Sequence, residues 1–72
     1  MNKTEFLEEL QDVLQRDDAL TADMALQEIP EWDSLAMMAV VAFFDRNFDI
    51  KLTFNDFKNF KTVEDLIIKA GL

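Results

Sequence analysis

The sequence predicts an all-α protein, a small three- to four-helix bundle with a long first loop. Three observations carry that prediction. Apolar residues recur at helical spacing in separate stretches. Val, Ile and Thr are too few and too scattered to build a sheet. A chain that is 50% hydrophobic, with seven Phe, one Gly and one Pro, has the composition of a packed helical protein and not of a disordered tail. Seventy-two residues are expected to form one domain, 1–72, which buries only about 60% of the surface that its unfolded chain exposes.

Phe6, Leu7, Leu10, Val13 and Leu14 share one helical face, with Glu5, Glu8, Glu9, Gln11 and Asp12 between them, so the first amphipathic helix is expected over roughly Thr4–Gln15. Asn2 or Thr4 can cap it, and Asn2 followed three residues later by Glu5 imitates a capping box. The acids read as a solvated face. From Arg16 to Glu31, isolated apolar residues (Leu20, Met24, Leu26, Ile29) stand among Asp17, Asp18, Thr21, Asp23 and Gln27, and Pro30 closes the stretch. This is a long connection with room for one helical turn, of the kind that often carries function. Leu26 and Ile29 should tether it to the core.

The second helix is expected over about Ser34–Asn47. At 100° per residue, Met37, Val41, Phe44 and Phe48 form one stripe with Val40 beside it, assigned here to the core. Leu35, Met38, Ala39, Ala42 and Arg46 fall on another face, which a bundle this small leaves at least partly open. An apolar second face implies a partner, a ligand, the long loop or a second copy lying over it. Phe48–Leu52 alternates apolar and polar residues but is too short and isolated for a stable strand, so it reads as an extended connector. Thr53 starts a short helical turn carrying Phe54 and Phe57. Thr62, with Asp65 three residues on, caps a last helix presenting Val63, Leu66, Ile67 and Ala70, and Gly71 suits its stop.

Composition narrows the function. Cysteine and histidine are absent, which removes disulfides, thiolate metal sites and the usual catalytic bases. The longest uncharged run, Ser34–Phe44, is too short to cross a bilayer, and the N-terminus lacks an apolar signal core. A cytoplasmic monomer is expected. The net charge of −8 argues against nucleic acid and anionic membranes and favours partners with basic docking patches. Residues 1–33 hold ten Asp/Glu against Lys3 and Arg16, whereas residues 34–72 hold five acids and five bases. All of the imbalance precedes Ser34.

Trp32-Asp33-Ser34-Leu35 stands where the acidic segment gives way to the apolar helix. Asp and Ser are favoured N-caps because their side-chain oxygens accept from unpaired first-turn N–H groups. Met37 and Ala36 occupy the places where a capping box wants Glu or Gln, so the pair is not an optimised cap. A purely structural cap and a functional serine are both open on these residues alone. Trp32 reads as an anchor for the loop or as a contact for an enzyme acting on the serine.

In this layout the chain resembles the acyl and peptidyl carrier proteins, the phosphopantetheine-binding domains of fatty-acid, polyketide and nonribosomal-peptide assembly. The likeness covers essentially all 72 residues. It rests on Asp33-Ser34-Leu35 at the head of the second helix, supported by Ile29, Phe44, Phe48, Ile50/Leu52 and Thr62-Val63-Glu64-Asp65-Leu66. The resemblance implies a helical bundle of the acyl-carrier type. It also implies 4′-phosphopantetheine, moved from coenzyme A by a phosphopantetheinyl transferase onto Ser34, with Asp33 and Leu35 flanking the attachment point. Acyl or aminoacyl cargo would ride there as a thioester, loaded by a ligase and passed to condensing, transfer or tailoring enzymes. Partner contacts map onto Trp32, Leu35, Met38, Ala39, Ala42, Asp45 and Arg46.

Two departures stand out. Trp32 occupies the place where many members have Gly, a variant more like peptidyl, aminoacyl or stand-alone carriers. Ala36 and Ala39 replace acids that often line the second helix, and Arg46 follows Asp45 where two acids are common. Recognition through this helix is therefore expected to be more apolar, with acidic steering left to residues 1–33. The competing function is a noncovalent acidic adaptor that offers Leu35, Met38 and Ala42 to a partner's groove. An autonomous enzyme is the weakest reading, since the adjacent Asp17 and Asp18 belong to a surface loop and nothing orients them.

Overall fold

A computed structural model describes residues 1–72. In chain order it contains α1 (Lys3–Val13), a single 3-10 turn (Leu26–Glu28), α2 (Ser34–Phe48), α3 (Phe54–Phe57) and α4 (Val63–Lys69). The expected layout of helix, long loop, helix, short helix, helix is the one observed. There is no sheet, only an isolated bridge between Ala25 and Thr62.

Local chemistry explains where the helices begin. Asn2 Oδ1 accepts from the Glu5 N–H at 2.8 Å while the Asn2 N–H donates to Glu5 Oε1 at 3.0 Å, so the capping box forms and Asn2, not Thr4, is the cap. Thr53 and Asp56 make the same reciprocal arrangement ahead of α3. At α4 the Asp65 carboxylate reaches back to the N–H groups of Lys61 (2.8 Å) and Thr62 (3.1 Å), which holds its pKa below the ordinary value. Each cap satisfies donors that the first turn leaves without intrahelical partners.

The ends are set by residues in the left-handed region. Gln15, at φ 55°, turns the chain out of α1 two residues before the expected limit, as its own N–H donates to the Asp12 carbonyl and that of Arg16 donates to the Gln11 carbonyl. The Gln11 amide then donates to the carbonyls of Arg16 and Asp17, both at 3.1 Å, pinning the reversal. Asp49, also at φ 55°, stops α2, and Lys51 bonds back to Asp45 beside it. Gly71, at φ 82°, follows the end of α4 in the conformation that glycine adopts without penalty.

The core joins Phe6 and Leu10 of α1, Val40, Phe43 and Phe44 of α2, Val63, Leu66 and Ile67 of α4, and Leu26 of the loop, all essentially inaccessible to water. The Phe6 ring lies 5.7, 6.0 and 6.0 Å from those of Phe43, Phe44 and Phe48, at the tilted and edge-on angles that aromatic quadrupoles favour. Burying the Phe6, Phe43 and Phe44 rings fully is worth roughly 1.5–3 kcal/mol each.

The buried stripe of α2 corrects the wheel drawn from the sequence. Ala36, Val40, Phe43 and Phe44 are buried, whereas Met37, Val41 and Phe48 are half-buried flanks. The true face is turned by roughly 80° toward Ala36 and Phe43. Ala36, set outside the expected stripe, is buried. Ala36 is thus core and not a surface position vacated by an acid. Ala39 likewise leaves the open face and is half-buried.

The long loop is tied down more firmly than Leu26 and Ile29 alone provide. Both are buried, and so is Leu20. In addition, Leu26 N–H donates to the Lys61 carbonyl (2.9 Å), Val63 N–H to Met24 (3.0 Å) and Glu64 N–H to Ala22 (2.8 Å). Backbone groups of a loop that crosses the protein are thereby paired without forming a sheet.

Candidate functional site at the head of the second helix

The chain approaches α2 through a turn in which the Trp32 N–H donates to the Ile29 carbonyl at 2.9 Å, with Pro30 inside it and the Ile29 side chain buried beneath. Asp33 then adopts an extended backbone and its Oδ1 accepts from the Ala36 N–H at 2.8 Å, while its carbonyl accepts from Met37. Asp33 is therefore the cap, and Ser34 is the first residue of the helix. The serine side chain is exposed. Its hydroxyl is not consumed as the cap, and the first-turn N–H groups of Ser34 and Leu35 have no carbonyl one turn earlier to receive them. An anion attached to this hydroxyl meets free donors and the positive end of a 15-residue helix.

Two side chains from distant parts of the chain hold the approach. Arg16, just past the end of α1, donates from Nη1 to Glu31 Oε1 at 2.8 Å, with only 13% of the arginine side chain and 33% of the glutamate side chain exposed. The hydrogen bond and the cation hold the Glu31 carboxyl below its ordinary pKa. On the other flank the Trp32 indole stands edge-on to Phe57, ring centroids 5.8 Å apart. Trp32 is half-buried, which fits the anchor of its two expected roles, and its ring contact is with Phe57 of α3.

Two grooves lie along α2, and Ser34 itself lines neither. One, of about 310 Å³, lies between the end of α1 and the start of α2, lined by Val13, Leu14, Glu31, Asp33, Leu35 and Ala39 among others. The second, of about 240 Å³, lies between α2 and α3 and is lined by Met38, Val41, Leu52, Thr53 and Phe54. The ridge between them carries Leu35 and Met38, 75% and 57% exposed, and Phe54 stands out on the far side at 56%. Ala42, Asp45 and Arg46 are exposed further along α2, with Asp45 already paired to Lys51.

The structure brings Trp32, Asp33, Ser34 and Leu35 together at one tip, with Met38 on the adjacent turn. It separates Ala39, which faces the first groove. Phe54 and the Arg16–Glu31 pair had escaped the sequence reading. No local pattern announces an ion pair between residues fifteen apart.

A family model described as a phosphopantetheine attachment site matches residues 4–68, from α1 into α4. No curated protein and no solved structure matches the chain. The cofactor of that family is 4′-phosphopantetheine, held covalently, and an exposed hydroxyl beside unpaired N–H donors fits its phosphodiester. No helix is long and apolar enough to cross a membrane. Helix order, the exposed serine at the tip of α2 and the match over 65 of 72 residues agree, and the chain belongs to the phosphopantetheine-binding family of acyl and peptidyl carrier proteins.

Proposed function

We propose that Ser34 is the attachment residue and that the protein carries acyl or aminoacyl groups between enzymes. The observation that carries this reading is the position of the Ser34 hydroxyl: exposed, first in α2, and spared from capping by Asp33. Asp33 fixes the helix start, so the hydroxyl is presented at a constant place. Leu35 gives an enzyme an apolar foothold one residue away. The unpaired N–H groups and helix dipole stabilise the phosphodiester once it is made.

The arm supplies a terminal thiol, the group missing from this cysteine-free chain, on which cargo rides as a thioester at high effective concentration for successive enzymes. The protein itself catalyses nothing in this scheme. Its partners are a phosphopantetheinyl transferase, a loading ligase and the enzymes that condense, transfer or modify the cargo. We place that work in the cytoplasm, where coenzyme A and a reducing environment are at hand. Leu35, Met38, Ala42 and Phe54 form the surface offered to these enzymes, more apolar than charged.

Incubation of the protein with coenzyme A and a promiscuous phosphopantetheinyl transferase tests the proposal by intact mass. One phosphopantetheine is added to the wild type and none to Ser34→Ala. An unchanged wild-type mass overturns the reading and leaves the noncovalent adaptor in its place.

A further inference from the structure

We propose that Arg16 is a positioning residue for modification of Ser34, acting through Glu31 to hold the approach to α2 in the form the transferase reads. The inference rests on Ser34 as the attachment site. It starts from an arginine whose backbone is fixed twice over: its N–H donates to the Gln11 carbonyl at 3.0 Å and its carbonyl accepts from the Gln11 amide at 3.1 Å. From that fixed base the side chain turns inward, loses most of its contact with water and meets Glu31 at 2.8 Å. Its Nε lies buried with no partner.

A long cation held this way is an unusual arrangement to keep for stability alone. Burial leaves one donor unsatisfied, and replacing a buried ion pair by apolar side chains of similar volume is often neutral or stabilising. What the pair does supply is a geometric link. Glu31 is three residues before Ser34, in the same short stretch that Trp32 fixes to Phe57 on the opposite flank. Arg16 ties that stretch to α1, and Phe57 ties it to α3. Release of either tie lets Trp32-Asp33 move as a flap ahead of the cap, and the hydroxyl is then in the reactive place for only part of the time.

Arg16→Met keeps the length and apolar stem of the side chain and removes the link. The full chain, in wild-type and variant form, is titrated as substrate against the transferase and coenzyme A. The expected result is a KM raised about tenfold with kcat within about twofold, because only a fraction of the molecules is competent at any moment. Fluorescence of Trp32, the only tryptophan, should shift to longer wavelength as the indole leaves Phe57. Ile67→Val, a core change in α4, should lower Tm without moving KM, which separates positioning from loss of stability. The double exchange Arg16→Glu with Glu31→Arg should bring KM back toward the wild type.

A KM for Arg16→Met within twofold of the wild type overturns the inference, as does a KM that rises equally in Ile67→Val. Should Arg16→Met melt below the assay temperature, Glu31→Gln, which keeps the shape and loses the charge, is judged by the same criterion. A wild type that takes up no arm overturns the attachment reading and this inference with it. A wild type that is modified alongside an indifferent Arg16→Met overturns this inference alone.

Discussion

The two ends of α2 are held by different physics. At its C-terminal end Phe43, Phe44 and Phe48 close around Phe6 with ring centroids 5.4–6.0 Å apart, an apolar cluster that water does not reach at its centre. At its N-terminal end the chain is held by one carboxylate cap, one ion pair and one edge-on aromatic contact. The first arrangement gives stability and tolerates no hole. The second gives direction, fixing where an exposed hydroxyl points at little energetic gain. Stability and presentation of the serine therefore reside roughly three helical turns apart, and substitutions should separate them.

The largest effect is expected where the aromatic cluster is opened. Phe43→Ala should cost about 3–5 kcal/mol, a large share of the roughly 5–15 kcal/mol that holds a domain folded, and urea melts would measure it. In the cold, whatever fraction stays folded should still accept the arm. If Phe43→Ala blocked modification while leaving the melt unchanged, the division between the two ends would be wrong.

Asp33→Ala probes the other end. Loss of an N-cap should lower stability by about 1 kcal/mol, while slowing arm transfer more than a cap of that size explains by unfolding. Matched melts and initial rates decide this. A slowing no greater than the unfolded fraction predicts would make Asp33 a cap and nothing more.

The outward ridge of α2 can be divided in turn. Met38→Glu should weaken binding to the cognate loading enzyme by about tenfold, equivalent to about 1.4 kcal/mol. Asp45→Ala should change it by less than about twofold, since an exposed charge already paired, here with Lys51, contributes little. Binding titrations at low and high salt compare the two. Equal losses, or a steep fall of affinity with salt, would replace the apolar surface with an acidic one.

The smallest effect concerns pH. Glu31 and Asp65 both have folded-state pKa values below their ordinary ones, through Arg16 for the first and backbone N–H groups for the second. Their contribution to stability is therefore present above the unfolded carboxylate values of about 4 and is lost as pH falls through the depressed native values. Melts between pH 6 and pH 3 should show the decline, reduced in Asp65→Asn. An unchanged slope in that variant would remove Asp65 from the account.

Legibility in the sequence followed the same divide. Caps are local chemistry, so Thr53 and Asp65 could be placed from spacing, Asn2 was one of two candidates for α1, and Ser34 was set at the head of α2. The direction of the buried face was not legible, because it depends on which neighbour arrives, and a residue as small as Ala36 does not mark itself as buried. The partner of Trp32 and the link from Arg16 to Glu31 escaped for a related reason. Both join residues whose meeting is decided only once the long loop has been laid across the protein.

The pairing of Ala22, Met24 and Leu26 with residues 61–64 bears on how the protein is made. During synthesis the segment leading to Ser34 is finished before the residues that will pair with it. A nascent chain stopping short of Lys61 leaves those groups bonded only to water. The loop that leads to Ser34 is thus secured by backbone groups that join the chain only after it.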